Sequence, residues 1–116
     1  MAQVTIYHNP KCSKSRQTLS LLEEKNIIPE IILYKETVLN TKQLEDVIRM
    51  LGIKARDLIR KSEPEYKDLH LADVSISEEK MIQYMIENPG LIQRPIVIAN
   101  GQARIGRPPE SVLDIL

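Results

Sequence analysis

The segment "YHNPKCSKSR", residues 7–16, holds the chain's single cysteine, Cys12, beside Lys11, Lys14 and Arg16 and with no acidic residue. The thiolate is the reactive form of cysteine, and nearby cations or a helix N-terminus lower a thiol pKa from about 8.5 into a range of roughly 3.5 to 7.5. A lone cysteine is more often a small buried apolar residue. Here Lys11, Ser13, Lys14 and Ser15 make too polar a setting for a core, so Cys12 is expected to react.

Four cysteine chemistries compete for this loop. A thiolate phosphatase wraps its oxyanion with an arginine six residues after the cysteine, and that position is Thr18, so this reading fails. A cysteine hydrolase needs a histidine base held by a third group, for which His8 and His70 are the candidates. A zinc site would have to combine Cys12, His8, His70 and carboxylates without any Cys-x-x-Cys pair, so no metal is expected. The fourth option is thiol redox chemistry, because Cys12 to Ser15 has the Cys-x-x-Ser spacing of a glutaredoxin-type site with its second cysteine replaced by serine. A serine cannot resolve a mixed disulfide. An outside thiol such as glutathione must then complete the cycle.

Arginines supply the second set of candidates. In "RPIV", Arg94 precedes Pro95 at the entry to a strand, and in thioredoxin-like folds an X-Pro bond at this place abuts the active cysteine. Arg60 and Arg107, taken singly, read as ordinary solvated arginines. Several guanidinium forks converging on one thiolate would instead form a receptor for a tetrahedral oxyanion.

The elements that must position these groups follow from periodicity. Residues Val4 to Tyr7 read as a strand running into the Cys12 loop, and the apolar positions Leu19, Leu21 and Leu22 place a helix from Ser13, with Cys12 or Ser13 at its N-terminus. "EIILY", residues 30–34, reads as a second strand, completing a β-α-β unit with a parallel, right-handed crossover. Thr41 is expected to cap "KQLEDVIRMLG", closed by Gly52. A short helix over "ARDLIRK" follows, and "SEPEYKDLHLADV" reads as loop and turn. Ser77 caps "EEKMIQYMIEN", stopped by Pro89 and Gly90. "PIVIAN" and "GQARIG" form a hairpin turning at Asn100-Gly101, and Pro108 and Pro109 open a last helix, "ESVLDIL". The order β-α-β, helices, β-β-α is that of a thioredoxin-like (glutaredoxin-type) α/β fold, a mixed sheet flanked by helices with an inserted helical segment between its halves.

Composition narrows the function further. A chain of 116 residues is expected to be one domain, residues 1–116, able to bury a core without staples. With no Phe or Trp and only four tyrosines, that core is expected to be built from Ile, Leu and Val. Sixteen basic side chains balance sixteen acidic ones, which argues against nucleic acid as a partner. No apolar run approaches the ~18 to 20 residues that span a bilayer, and no secretory signal opens the sequence, so no membrane association is expected. A single cysteine fits a reducing compartment, and the cytoplasm is the expected location.

With "YHNPKCSKSR", "IILY", "LIRK", "RPIV" and "GRPPESVLDIL" present in order, essentially the whole chain closely resembles the glutaredoxin-coupled arsenate reductase (ArsC) family. The resemblance is to its short, YfgD-like members, which lack the C-terminal tail of the longer ones. It implies that Cys12 attacks arsenate while Arg60, Arg94 and Arg107 hold the oxygens. In the family scheme glutathione then binds the arsenic as co-substrate, glutaredoxin removes the glutathione, and arsenite is released, with no bound cofactor. His8, Asn9, Ser15 and Arg16 also match the family loop. The resemblance gives them supporting roles in shaping the loop, hydrogen-bonding the sulfur and adding positive field.

Two other classes stand beside the arsenate reductase. One is a non-catalytic regulator resembling the Spx branch of the same fold, which binds RNA polymerase; Ser15 denies this chain the Cys-x-x-Cys switch common there, and the three matched arginines favour the enzyme. The other is a glutathione-binding monothiol module acting on protein mixed disulfides without any need for arsenate.

Overall fold

The computed structural model describes residues 3–37 and 39–116, which fall into two compact units. The first comprises Met1–Thr37 with Arg94–Leu116, and the second is Val38–Gln93.

The first unit is built on a four-stranded mixed sheet, the thioredoxin-like arrangement. Its strands are β1 (Val4–Tyr7), β2 (Glu30–Ile32), β3 (Ile96–Ala99) and β4 (Gln102–Ile105), in the order β2-β1-β3-β4. β1 pairs in parallel with β2, whereas β1 with β3 and β3 with β4 are antiparallel. Side chains alternate across a strand. Val4 and Ile6 of β1 and Val97 and Ala99 of β3 therefore share one face, where Leu22 of helix α1 (Ser13–Glu24) and Val112 and Ile115 of a C-terminal 3-10 helix (Pro109–Ile115) close the core.

Local chemistry sets the ends of these elements. α1 stops where Asn26 takes a left-handed conformation, φ 62°, and the Ile27 N–H returns to the Leu22 carbonyl at 3.0 Å. Asn100 and Gly101 both have positive φ, 54° and 75°, the combination a type I′ hairpin requires. β2 is shorter than expected. The Leu33 carbonyl accepts the N–H groups of Glu36 and Thr37, so the chain turns before it reaches Tyr34.

The second unit is helical. α2 (Thr41–Leu51) is capped by Asn40 rather than the expected Thr41. The Asn40 side chain accepts the Gln43 N–H at 2.8 Å while the Gln43 side chain accepts the Asn40 N–H at 2.9 Å, a reciprocal box that a cap at Thr41 would forgo. Gly52 ends α2 at φ 72°. The expected helix over "ARDLIRK" is a 3-10 turn, Ala55–Leu58, because Ile59 is extended and bridges Ile92. A third helix, α3 (Pro64–Asp68), occupies part of the expected loop: Pro64 stands in its first turn, where a fixed φ and a missing N–H cost nothing. α4 (Glu78–Glu87) is capped by Ser77 as expected and buries Met81, Ile82 and Met85.

The buried hydrophobic set is largely Ile, Leu and Val. It also takes in Tyr7, Tyr34, Met81 and Met85, so the expected aliphatic core is incomplete as stated. Among the described residues no helix is long and apolar enough to cross a membrane.

Candidate functional site

Five residues, His8 to Cys12, carry the chain from the end of β1 to the start of α1. Cys12 is the N-cap residue of α1, in extended backbone geometry (φ −97°, ψ 124°), and its carbonyl accepts the Arg16 N–H at 3.0 Å. The loop is tied from inside by Ser15, which has no solvent exposure. Ser15 Oγ lies 2.7 Å from His8 Nδ1 and accepts the Asn9 N–H at 3.0 Å. Asn9 Oδ1 accepts the Lys11 N–H at 3.1 Å, and Arg16 Nη1 donates to the Pro10 carbonyl at 2.8 Å.

Burial, and secondarily the charge of Arg16, hold His8 below its ordinary pKa. The ring is thus neutral near pH 7. The assignment that satisfies every partner has the Ser15 hydroxyl donating to His8 Nδ1 while its oxygen accepts from Asn9.

The sulfur is partly exposed, not sealed under aliphatic packing. Burial alone would push the thiol pKa up. It is outweighed by the Ser15 N–H, by a hydrogen bond from the Arg94 side chain, by the Lys14 N–H and by the Arg94 charge, so the pKa lies below its ordinary value. The two N–H groups belong to the open first turn of α1 and act on the sulfur although it makes no full-geometry capping bond. Arg107 Nη2 stands 3.5 Å from Cys12 Sγ.

Arg107 is itself aimed by its neighbour, since its Nε donates to the Arg94 carbonyl at 2.8 Å. Both arginines precede cis prolines, Pro95 and Pro108. Between them lies buried Gly106, whose N–H donates to the Pro95 carbonyl at 2.9 Å. A Cβ at Gly106 would fall 2.5 Å from Thr18 Oγ1 and 2.8 Å from Pro95 Cγ. Close approach, not an unusual φ, demands glycine there.

Cys12, His8, Asn9, Ser15, Arg16, Arg94 and Arg107 are thus gathered within the first unit. Arg60 belongs to the second unit, where its N–H donates to the Leu91 carbonyl at 2.7 Å and its Nη1 reaches Glu63 Oε1 at 3.3 Å. His70, the other candidate base, is exposed in the second unit at φ 54°. Among the described residues no three His, Cys, Asp or Glu side chains converge to hold a metal ion. Sequence reasoning missed Gly106 and Thr18. Nothing in the string "ARIGRPP" distinguishes a glycine needed for close approach from an ordinary turn glycine.

Residues 7–115 match the sequence profile of the ArsC family. The chain is 57% identical to YfgD of Escherichia coli (strain K12) over 115 residues, 98% of this chain and 97% of that one. It is 46% identical to the arsenate reductase of Haemophilus influenzae over 114 residues, 97% of this chain and 98% of that one. The solved structure of an arsenate reductase from Vibrio cholerae superimposes with a TM-score of 0.96 at 50% identity, covering 98% of each chain. A thioredoxin-like sheet with its cysteine at the head of the first helix, and whole-length identity of this order, establish that the chain belongs to the ArsC family.

Proposed function

We propose that this protein reduces arsenate to arsenite, with Cys12 as nucleophile and Arg60, Arg94 and Arg107 holding the oxyanion. The observation that supports this best is a thiol of lowered pKa that meets Arg107 Nη2 at 3.5 Å and the Arg94 guanidinium. Arsenate is an anion near neutral pH, so an anionic sulfur approaching it is repelled. The guanidinium groups neutralise both partners and the charge that develops on the oxygens; one such donor is worth about 3 kcal/mol, or ~100 to 1000-fold in rate. Arg60 enters through its match to the family pattern in "LIRK". His8, Asn9 and Ser15 keep the loop in shape, and Arg16, held at the Pro10 carbonyl, adds positive field.

The thiolate displaces an oxygen of arsenate as water, giving a Cys12–S–As(V) adduct. The glutathione thiol then condenses with an As–OH group of the adduct, its sulfur replacing that oxygen on arsenic as a second water leaves. A glutaredoxin thiol takes the glutathionyl group as a mixed disulfide, and the two electrons of the broken S–As bond remain on arsenic. Hydrolysis of the Cys12–As(III) bond frees arsenite and restores the thiol. The two proteins named arsenate reductase that match over nearly their whole length support this reading, as does the family match that runs through both units, which we take to form one working domain. A reducing compartment such as the cytoplasm suits it.

The test is NADPH consumption coupled through glutathione reductase, glutathione and glutaredoxin, with and without arsenate. Wild type should show arsenate-dependent turnover, Cys12→Ser none, and Arg94→Ala a loss of about 100-fold or more. A wild-type rate that ignores arsenate overturns the assignment; disulfide turnover on glutathionylated proteins in its place would favour the monothiol module.

A further inference from the structure

Arg60 is held twice within the second unit. Its backbone lies in a short antiparallel pairing, where Ile59 bridges Ile92, the Arg60 N–H donates to the Leu91 carbonyl at 2.7 Å and the Gln93 N–H donates to the Leu58 carbonyl at 2.9 Å. Its guanidinium is held by Glu63, with Nη1 3.3 Å from Glu63 Oε1. The two side chains are only 21% and 25% exposed, so solvent screens this pair less than one on the open surface. Glu63 stands at the N-cap of α3, but its side chain makes no capping bond. The carboxylate turns to Arg60 instead, and the same Oε1 lies 3.9 Å from where a Cβ on Gly90 would stand. Among the described residues no other side-chain N–H of Arg60 has a hydrogen-bond partner, so the rest of the guanidinium fork is open to a ligand.

We propose that Glu63 is the positioning residue for Arg60, holding its guanidinium ready for a tetrahedral oxyanion. This rests on the function proposed above in taking Arg60 as an oxyanion ligand. A guanidinium presents its N–H donors in a rigid planar fork, so its direction decides whether it meets an anion at two points or one. A long side chain loses rotamer freedom when it grips an anion, and a partner that fixes it beforehand removes part of that cost. Glu63 takes one N–H with one oxygen and leaves the others for the ligand. Its negative charge opposes an incoming anion, so the acceptor oxygen and not the charge is what serves binding. Glutamine keeps that acceptor and drops the charge. Alanine drops both.

The test reads oxyanion binding without turnover. Inorganic phosphate, a tetrahedral oxyanion close to arsenate in shape, is titrated as a protectant of Cys12 against iodoacetamide, and its apparent Kd is compared among variants. Arg60→Ala should weaken binding about tenfold or more, and Glu63→Ala about tenfold. Glu63→Gln should bind phosphate as tightly as wild type or more tightly. The double variant Arg60→Ala/Glu63→Ala should bind no more weakly than Arg60→Ala alone, because Glu63 acts through Arg60; a merely structural Glu63 would add its own loss. A wild-type Kd in Glu63→Ala overturns the proposal, as does Glu63→Gln binding as weakly as Glu63→Ala, or an additive loss in the double variant. Phosphate that fails to protect wild type, or that binds Arg60→Ala as it binds wild type, removes the oxyanion role of Arg60 and the proposal with it. An arsenate-independent wild type in the coupled assay, with the phosphate results as expected, would sink the reductase reading and leave the role of Glu63 standing.

Discussion

Gly106→Ala perturbs the proposed site without touching the sulfur. The added methyl would lie 2.5 Å from Thr18 Oγ1, 2.8 Å from Pro95 Cγ and 3.3 Å from Pro95 Cδ. Real Cβ contacts essentially never fall below 3.0 Å, so the Thr18 hydroxyl must retreat by at least 0.5 Å (3.0 less 2.5) and the Pro95 ring by at least 0.2 Å (3.0 less 2.8). Neither neighbour is free to do so. Thr18 Oγ1 is held by the Lys14 carbonyl at 2.8 Å, and the Pro95 carbonyl is held by the Gly106 N–H itself at 2.9 Å. Overpacking of this kind costs about 1 to 3 kcal/mol. The displacement also passes to the chemistry, because Arg94 adjoins Pro95, Arg107 adjoins Gly106, and Lys14 presents an N–H to the sulfur. Urea denaturation should therefore show a loss of about 1 to 3 kcal/mol, and thiolate absorbance against pH should show the Cys12 midpoint rising toward its ordinary value. A variant as stable as wild type with an unchanged midpoint would refute the claim that close packing at Gly106 sets the arginines.

Three further outcomes are expected. Ser15→Ala removes the partner of His8 Nδ1 and of the Asn9 N–H, two buried polar groups, and should cost about 2 to 4 kcal/mol in urea denaturation; a loss under about 0.5 kcal/mol would contradict the staple described for the loop. Arg107 is exposed, so at 3.5 Å in a water-like dielectric its charge is worth about 1 kcal/mol to the thiolate. Arg107→Ala should then raise the Cys12 pKa by less than about one unit and Arg94→Ala, which removes a hydrogen bond and a charge, by more, as read from the pH dependence of iodoacetamide alkylation. His8 has a folded pKa below its unfolded value near 6.5, so the unfolded chain takes up the proton first and stability present above that pH is lost as pH falls beneath it. His8→Asn, which can still accept from Ser15, should flatten the fall in stability between about pH 7 and pH 5.

Strand, loop and helix around Cys12 were legible because each signal was local: a β-branched run, a polar break, then leucines at helical spacing. The hairpin was legible for the same reason, since Asn-Gly meets the backbone demand of a type I′ turn within two residues. The errors arose where two local readings competed. Thr41 and Asn40 are both good caps, and only the reciprocal bond with Gln43 decides between them. Pro64 can break a helix or begin one, and it begins one. The pairing of Arg94 with Arg107 was of another kind. It joins residues 13 apart through one carbonyl, and no periodicity carries that contact. The family pattern pointed to both arginines; which one aims the other had to come from geometry.

Ser15 occupies the position where a Cys-x-x-Cys site would carry its second sulfur, and its surroundings argue that serine is required there in its own right. It is fully buried, and a single oxygen serves both His8 Nδ1 at 2.7 Å and the Asn9 N–H at 3.0 Å. A thiol is larger and is a weak donor and acceptor, so sulfur at this place would strain the packing and leave two buried polar groups poorly satisfied. The bond network that keeps the loop rigid, and with it the Ser15 and Lys14 N–H groups turned on Cys12, is therefore incompatible with an internal resolving thiol. A loop built this way favours an ionised sulfur while excluding an intramolecular disulfide. Reduction must then be completed from the solvent side, where Cys12 is partly exposed.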